Sequence, residues 1–449
     1  MSNEPHGAPA VSARPRIFPM TREQEALWLD DLVWDAPSRN VESWGCRLTG
    51  PLDIGALEWA FTQVVARHEV LHSRMTEWDE EPVQIVTDPG PVRMRQVSCP
   101  PAALQAELSR IVAEPLDLDE APIRPWVIRL SPNEVVLVLQ FHHAIVDAWS
   151  LSIIQRELMH FYAARVLGRS ADLGPLRMQA GDFALAQRAA GLDPADIAYW
   201  RERVRGAPRS CTIPPDHPGS AELTHRGGRH LHELSAELGQ AVRAVGRTLR
   251  TTPFTVFAAA MATLLRQYGE SEEVIFGTPV SLRGTAAVDG MIGCLTNLYP
   301  IRLGVSPDMS FRALVNAVKA EVLGAMEHRA VPYSAIVRMS RLETAADAPP
   351  PCDAALVVDD MGWEPLTLPE VTAETVRLPV GYAKFAVLLL LATGDDGGYT
   401  GWWDYDAEIF DAVTVARVAG RFTELLTHCI AAPDEPLGRI PDLRSPAFR

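Results

Sequence analysis

The chain has 449 residues, 47% of them hydrophobic and 22% charged, a globular composition with enough apolar mass for two cores. Its net charge of -16 argues against nucleic acid and against an anionic membrane surface as partners. Cys46, Cys99, Cys211, Cys294, Cys352 and Cys429 form no Cys-x-x-Cys pair and read as reduced thiols of a cytoplasmic protein. No apolar signal segment opens the chain, and its longest apolar run, Phe385 to Ala392, is strand-sized.

Residues 1–16 are polar and proline-bearing and are expected to form a disordered tail. Thr21 is placed as the N-cap of a helix carrying Ala26, Leu27 and Trp28. A strand is expected over Val41–Leu48 and a helix from Asp53 through Val65, closed by Arg67-His68-Glu69-Val70-Leu71. A short strand over Val83–Val86 and a helix over Leu104–Val112 follow. Arg124–Leu130 and Glu134–Phe141 flank Ser131-Pro132-Asn133 as a hairpin, and a long helix runs from Trp149 to about Val166. Leu167–Leu192 is mixed and glycine-bearing, and the lobe boundary is placed near Gly191, giving lobes of residues 17–190 and 191–449.

The second lobe is expected to hold helices over Ile197–Gly206, Ala236–Leu249, Phe254–Tyr268, Phe311–Ala330 and Ala412–Ala431. Pro253 stands at the N1 position of the third-lying apolar run, Phe254–Tyr268, which is placed in the core. Strands are expected at Arg229–Leu234, Glu273–Phe276, Asn297–Leu303, Ala354–Val358, Val371–Arg377, Ala386–Ala392 and Tyr399–Tyr405. Gly277–Gly293 reads as a long functional loop. Strands and helices mix without the alternation of a doubly wound sheet, so the fold class is α+β. No Walker A loop, dinucleotide glycine fingerprint or Gly-x-Ser-x-Gly elbow occurs.

The stretch with the most chemistry is Phe141–Ser150, F-H-H-A-I-V-D-A-W-S, where an apolar strand hands over to a helix. In an extended chain one histidine can enter a cleft while its neighbour packs behind. The helix start aims free N–H groups and a positive dipole end at the same place. A neutral imidazole beside such amides suits acyl transfer. A satisfied structural pair is the competing reading. A metal site fits less well, because adjacent histidines diverge and no second cluster has ligand spacing.

With these residues in view, the chain resembles the condensation domains of nonribosomal peptide synthetases, from about Phe18 to Leu443. The family's His-His-x-x-x-Asp-Gly motif, commonly followed by Trp-Ser, stands here as His142-His143-Ala144-Ile145-Val146-Asp147-Ala148-Trp149-Ser150. Thr21, Gln24 and Trp28 match the first-helix signature, and Arg67-His68-Glu69-Val70-Leu71 the next segment, with His72 where arginine is usual. Tyr199-Trp200, Gly206-Ala207-Pro208, Gly277-Thr278-Pro279-Val280 with Arg283, Met291-Ile292-Gly293, Asn297, Ala383-Lys384-Phe385 and Leu437-Gly438 match later landmarks.

The resemblance implies a chloramphenicol-acetyltransferase-like fold, with two lobes in a V-shaped pseudo-dimer and an active-site tunnel at their seam. It implies an enzyme that joins an acyl or aminoacyl thioester, held on the phosphopantetheine arm of an acyl or peptidyl carrier protein, to an amine or hydroxyl, and the absence of a Leu-Gly-Gly-x-Ser pantetheine site and of adenylation motifs makes a freestanding enzyme the expectation. The acceptor is a small molecule or is itself carrier-bound; no cofactor or metal is resident, and the protein is expected to be a monomer. By match, His143 is catalytic, as base or as positioner. His142 and Asp147 support it, Asp147 pairs with Arg283, and amides around Ala148 and Trp149 are candidates to hold the oxyanion. Asn297 is either a channel-side polar residue or a turn cap.

Several positions depart from the family. Ala148 replaces the motif glycine, and negative φ is expected there. The tyrosine usual near Gly181-Asp182-Phe183-Ala184 is missing, and His328-Arg329-Ala330-Val331-Pro332-Tyr333, Pro349-Pro350-Pro351 and Asp359-Asp360 are altered. These changes bear on the acceptor more than on the chemistry. The alternatives are a coenzyme A-dependent acyltransferase of the same superfold and an inactive partner-recruiting module.

Overall fold

The computed structural model describes residues 16–33, 39–218, 224–341, 351–359, 365–394 and 396–440. Residues 1–15 of the expected tail, and Pro349, Pro350 and Asp360, lie outside these. The first half of the chain supplies β1 (Arg16–Pro19), α1 (Arg22–Val33), β2 (Val41–Thr49), α2 (Ile54–Arg67), β3 (Ser73–Trp78), β4 (Glu81–Val86), β5 (Arg95–Ser98) and α3 (Leu104–Val112). It continues with β6 (Ile123–Ser131), β7 (Glu134–His142), α4 (Ala148–Leu167) and α5 (Ala180–Ala190). The second half supplies α6 (Pro194–Val204), β8 (Gly227–Leu234), α7 (Ala236–Thr248), α8 (Pro253–Tyr268), β9 (Glu273–Ser281), β10 (Thr296–Gly304) and α9 (Phe311–Glu327). It ends with α10 (Tyr333–Arg341), β11 (Ala354–Asp359), β12 (Thr372–Thr375), β13 (Val387–Thr393), β14 (Tyr399–Asp406) and α11 (Ala412–Ala431).

Local chemistry accounts for the helix starts. Thr21 Oγ1 accepts from Gln24 N at 3.1 Å while Thr21 N donates to Gln24 Oε1 at 2.8 Å, a reciprocal box that opens α1. Asp53 caps α2 through Ala56 N at 2.9 Å, and Asp147 caps α4. Gly168 ends α4 in the left-handed region, φ 64°, where a glycine carries no Cβ penalty.

A five-stranded sheet in the order β12-β2-β7-β6-β5 is backed by α2 and α4, with Phe61, Val64, Phe141, Ile154 and Leu158 filling the first core. A six-stranded sheet, β10-β9-β11-β13-β14-β8, packs against α8, α9 and α11 around Trp200, Phe257, Tyr299, Trp403 and Phe422. Helix α8 is buried along most of its length, as its uninterrupted apolar run requires. β1, β4 and β3 form a small third sheet.

The two halves exchange material. β12 belongs to the second half of the chain yet pairs antiparallel with β2, Thr372 opposite Thr49 and Thr375 opposite Cys46. Leu366, Leu368 and Val371 enter the first core with it, as does Ile292.

Three expectations change. β9 runs through Ser281, so the loop taken as Gly277–Gly293 starts after Ser281 instead. Its Pro279 lacks a donor, but β9 meets β11 only at Gly277, so no ladder bond is lost on that side. β3, β5, α5 and α10 were not expected at all. Arg16, placed at the end of the tail, pairs with Val86 in β1.

Candidate active site

β7 ends at His142, and a single 3-10 turn, His143–Ile145, separates it from α4. The pairing of Val41 with His142 holds the strand end, and His143 N donates to Asn40 O at 2.7 Å. The two histidines then diverge. His142 is fully buried; its Nδ1 accepts from Ala144 N at 3.1 Å, and its Nε2 lies 2.7 Å from Asp31 Oδ2, off the ring N–H axis. Asp31 is in turn held by Asn40 Nδ2 at 2.7 Å.

His143 is half-buried, and its Nδ1 lies 2.9 Å from Val146 O. A carbonyl only accepts, so Nδ1 carries the proton and Nε2 keeps its lone pair. Burial and then the Lys384 ammonium push the imidazole below its usual range, against the opposing pull of Glu42 and Asp147. A neutral ring with an open Nε2 has the form a general base needs.

Asp147 is committed elsewhere. Oδ1 accepts from Ser150 N at 2.8 Å and Ser150 Oγ at 2.7 Å, and Oδ2 accepts from Leu295 N at 3.0 Å. Arg283 Nη2 reaches both oxygens, at 3.1 and 3.2 Å. Arg283 is itself anchored through Nη1 to Val288 O at 2.7 Å and Met291 O at 2.8 Å. Ser150 Oγ closes the network, donating to Asp147 and accepting from Gly293 N at 3.1 Å. The loop after β9 is thus tied to the start of α4, with the Arg283 and Asp147 side chains only 6% and 3% exposed.

Ala148 is the first residue of α4, with no positive φ, and its methyl is exposed. Trp149 is 40% exposed; its Nε1 donates to Asp289 O at 2.9 Å and Arg283 lies over its ring. Asp147 takes the Ser150 amide, so Ala148 and Trp149 present the remaining first-turn N–H groups at the helix start. Asn297 is buried and spends its amide on the scaffold. Nδ2 donates to Val331 O at 2.7 Å and Tyr299 Oη at 3.0 Å, and Oδ1 accepts from Leu298 N and from Tyr333 N at the start of α10.

Glu42 and Lys384 were not singled out as site residues. Lys384 Nζ lies 2.5 Å from Glu42 Oε1, joining β2 to the segment before β13, and both charges act on His143. Burial alone would raise Glu42, but Lys384 and then His143 outweigh it and hold the carboxyl at about 2. The two residues are 342 positions apart and carry no local motif, so only the Lys384 landmark hinted at them. Among the described residues no His, Cys, Asp and Glu cluster could hold a metal, and no helix is long and apolar enough to cross a membrane.

The family model described as Condensation domain matches residues 15–445. Phosphinothricin tripeptide synthetase PhsC of Streptomyces viridochromogenes is 32% identical, over 98% of this chain and 42% of the synthetase, so the chain spans less than half of that relative. The X-domain from teicoplanin biosynthesis superposes with a TM-score of 0.86 at 26% identity, covering 97% of this chain and 100% of that one. Its complex with OxyB gives a TM-score of 0.84 at 26% identity, over 98% and 99% of the two chains.

Proposed function

The chain belongs to the condensation-domain family and has its chloramphenicol-acetyltransferase-like fold, and from that premise we propose that it joins a carrier-bound acyl or aminoacyl thioester to an amine or hydroxyl acceptor. The observation that carries the reading is the His143 ring, whose Nδ1–H is bound by Val146 O and whose Nε2 is left open. In the proposed step the acceptor nitrogen attacks the thioester carbonyl while Nε2 takes its proton. The tetrahedral intermediate then expels the phosphopantetheine thiolate, which takes up that proton from the imidazolium. The thioester is already activated, so no nucleophilic side chain is needed. The N–H groups of Ala148 and Trp149 are assigned to the oxyanion.

His142 and Asp147 are assigned positioning roles, since the contacts of each are spent on the scaffold. The same proposal includes two lobes dividing near residues 190 and 191, meeting in a V around a tunnel, and a carrier protein as partner. Separate cores around Phe61 and around Phe257 support that division.

The test is product formation. Donor acyl groups are loaded on carrier protein or on coenzyme A, offered with a panel of amines and alcohols, and followed by mass spectrometry. The wild type is expected to condense the carrier-bound donor, and His143→Ala to lose about 10²–10⁴-fold while remaining folded. Undiminished product from His143→Ala overturns the assignment. A second reading, a partner-binding module, draws on the likeness to the X-domain that is solved bound to OxyB. Stable capture of a partner by a wild type that forms no product with any donor would favour it.

A further inference from the structure

Two ion pairs, each made of one residue from either half of the chain, act on His143. The Asp147–Arg283 pair is nearly closed to solvent. The Glu42–Lys384 pair keeps 37% and 29% of its side-chain surface exposed. Glu42 follows directly on Val41, the partner of His142 across the β2–β7 ladder, and lies two residues after Asn40, whose carbonyl holds the His143 amide. Lys384 is fixed from the other side, because Ala383 N donates to His225 O at 2.8 Å and Arg226 bridges to Tyr382.

The other charged groups around the turn have their own partners. Asp31 of α1 is on His142, behind the site. Asp147 is held by Arg283, Ser150 and Leu295. Arg229 of β8, whose field also reaches Glu42, is bonded to Asp404. The Cys294 thiol, near Asp147 and Lys384, is pushed well up by burial and stays neutral. Glu42 and Lys384 are therefore the two charges beside His143 whose only hydrogen-bonding partners shown are each other.

We propose that Glu42 and Lys384 act as an opposed pair of positioning residues that sets the proton state of His143. The proposal rests on His143 being the base assigned above. The pair acts through charge. The ammonium disfavours a protonated ring, the carboxylate favours it, and contact between them largely cancels their fields at the imidazole.

The experiment reads the ring directly. The imidazole signal of His143, assigned by its loss in His143→Ala, is titrated by nuclear magnetic resonance in the full-length wild type, Lys384→Met, Glu42→Gln and the double variant. Lys384→Met should move the midpoint up by about one pH unit, Glu42→Gln should move it down by about as much, and the double variant should return close to wild type. Lys384→Arg should keep the wild-type midpoint. The acid limb of the kcat profile should shift in the same order. Midpoints that stay fixed, or that move in the same direction in both single variants, would overturn the proposal, since simple loosening of the structure cannot shift a titration in opposite directions. Opposed shifts in a wild type that yields no condensation product would instead defeat the function proposed above and leave the action on His143 standing.

Discussion

The two ion pairs that flank the histidine turn look alike on a contact map and differ in kind. Asp147 and Arg283 lie in a site almost without water, and the hydrogen bonds around them involve Ser150, Gly293 and Leu295 as well as the carbonyls of Val288 and Met291. Such a pair adds little net stability over an apolar substitute, yet removing one member strands a charge. Glu42 and Lys384 have each other and the solvent. Both side chains keep part of their surface in water, so removing one leaves no fully buried charge, and their influence on the neighbouring ring can change at little cost to the fold. One pair fastens the loop after β9 to the start of α4; the other acts on the chemistry.

That contrast is sharpest in stability. Arg283→Ala should destabilise the protein by about 3–5 kcal/mol in urea denaturation, because Asp147 is left buried without its cation. Asp147→Ala should cost a comparable amount, and the double variant clearly less than the sum. Additive costs would mean that the two do not interact. Glu42→Gln should be far milder, and its effect should depend on pH. With the folded carboxyl at about 2, below the ~4.3 of an unfolded chain, the pair's stabilisation is full above about pH 4.3 and is lost as pH falls through about 2. Melting temperatures of wild type and variant should therefore converge towards pH 2; a gap that persists there would break the comparison. The smallest effect is expected at Ala148. Its backbone is already helical, so Ala148→Gly should cost no more than about 1 kcal/mol and retain turnover. Because the methyl is exposed beside the turn, the glycine variant is expected to accept a wider acceptor range, read by competition between acceptors of graded size.

The strand, turn and helix around His143 were legible because their signals are local. An apolar β-branched run, the two histidines and the aspartate of the motif, and helical spacing from Leu151 to Phe161 lie within about two dozen residues. β5 and α10 carried weaker signals. β5 is a four-residue edge strand, Arg95–Ser98, with one apolar side chain, and α10 is a short amphipathic helix of nine residues. β9 was cut short at Phe276 because Gly277 opened what read as a long glycine-containing loop, although the ladder with β10 continues through Gly277 and Pro279. Asn297 shows a different limit: its place in the chain was clear, but only packing shows that Val331 and Tyr333 take its amide. Glu42 and Lys384 lay beyond sequence reasoning because their meaning comes from a contact between distant segments, with no spacing to mark it.

The loan of β12 has a consequence for how the protein is made. Until Thr372–Thr375 leave the ribosome, β2 has a partner only on its β7 side and remains an open edge, and the places of Leu366, Leu368 and Val371 in the first core stand empty. Domains usually fold as they emerge, N-terminal first, but here the first half must wait for some two hundred further residues of synthesis before its sheet is sealed. A nascent chain stalled or clipped after α10 would display an unpaired strand beside uncovered apolar surface, the combination that invites edge-to-edge association. The histidine turn hangs from that same strand through Asn40 and Val41. Its final geometry is therefore set late, by a segment more than two hundred residues away in the chain.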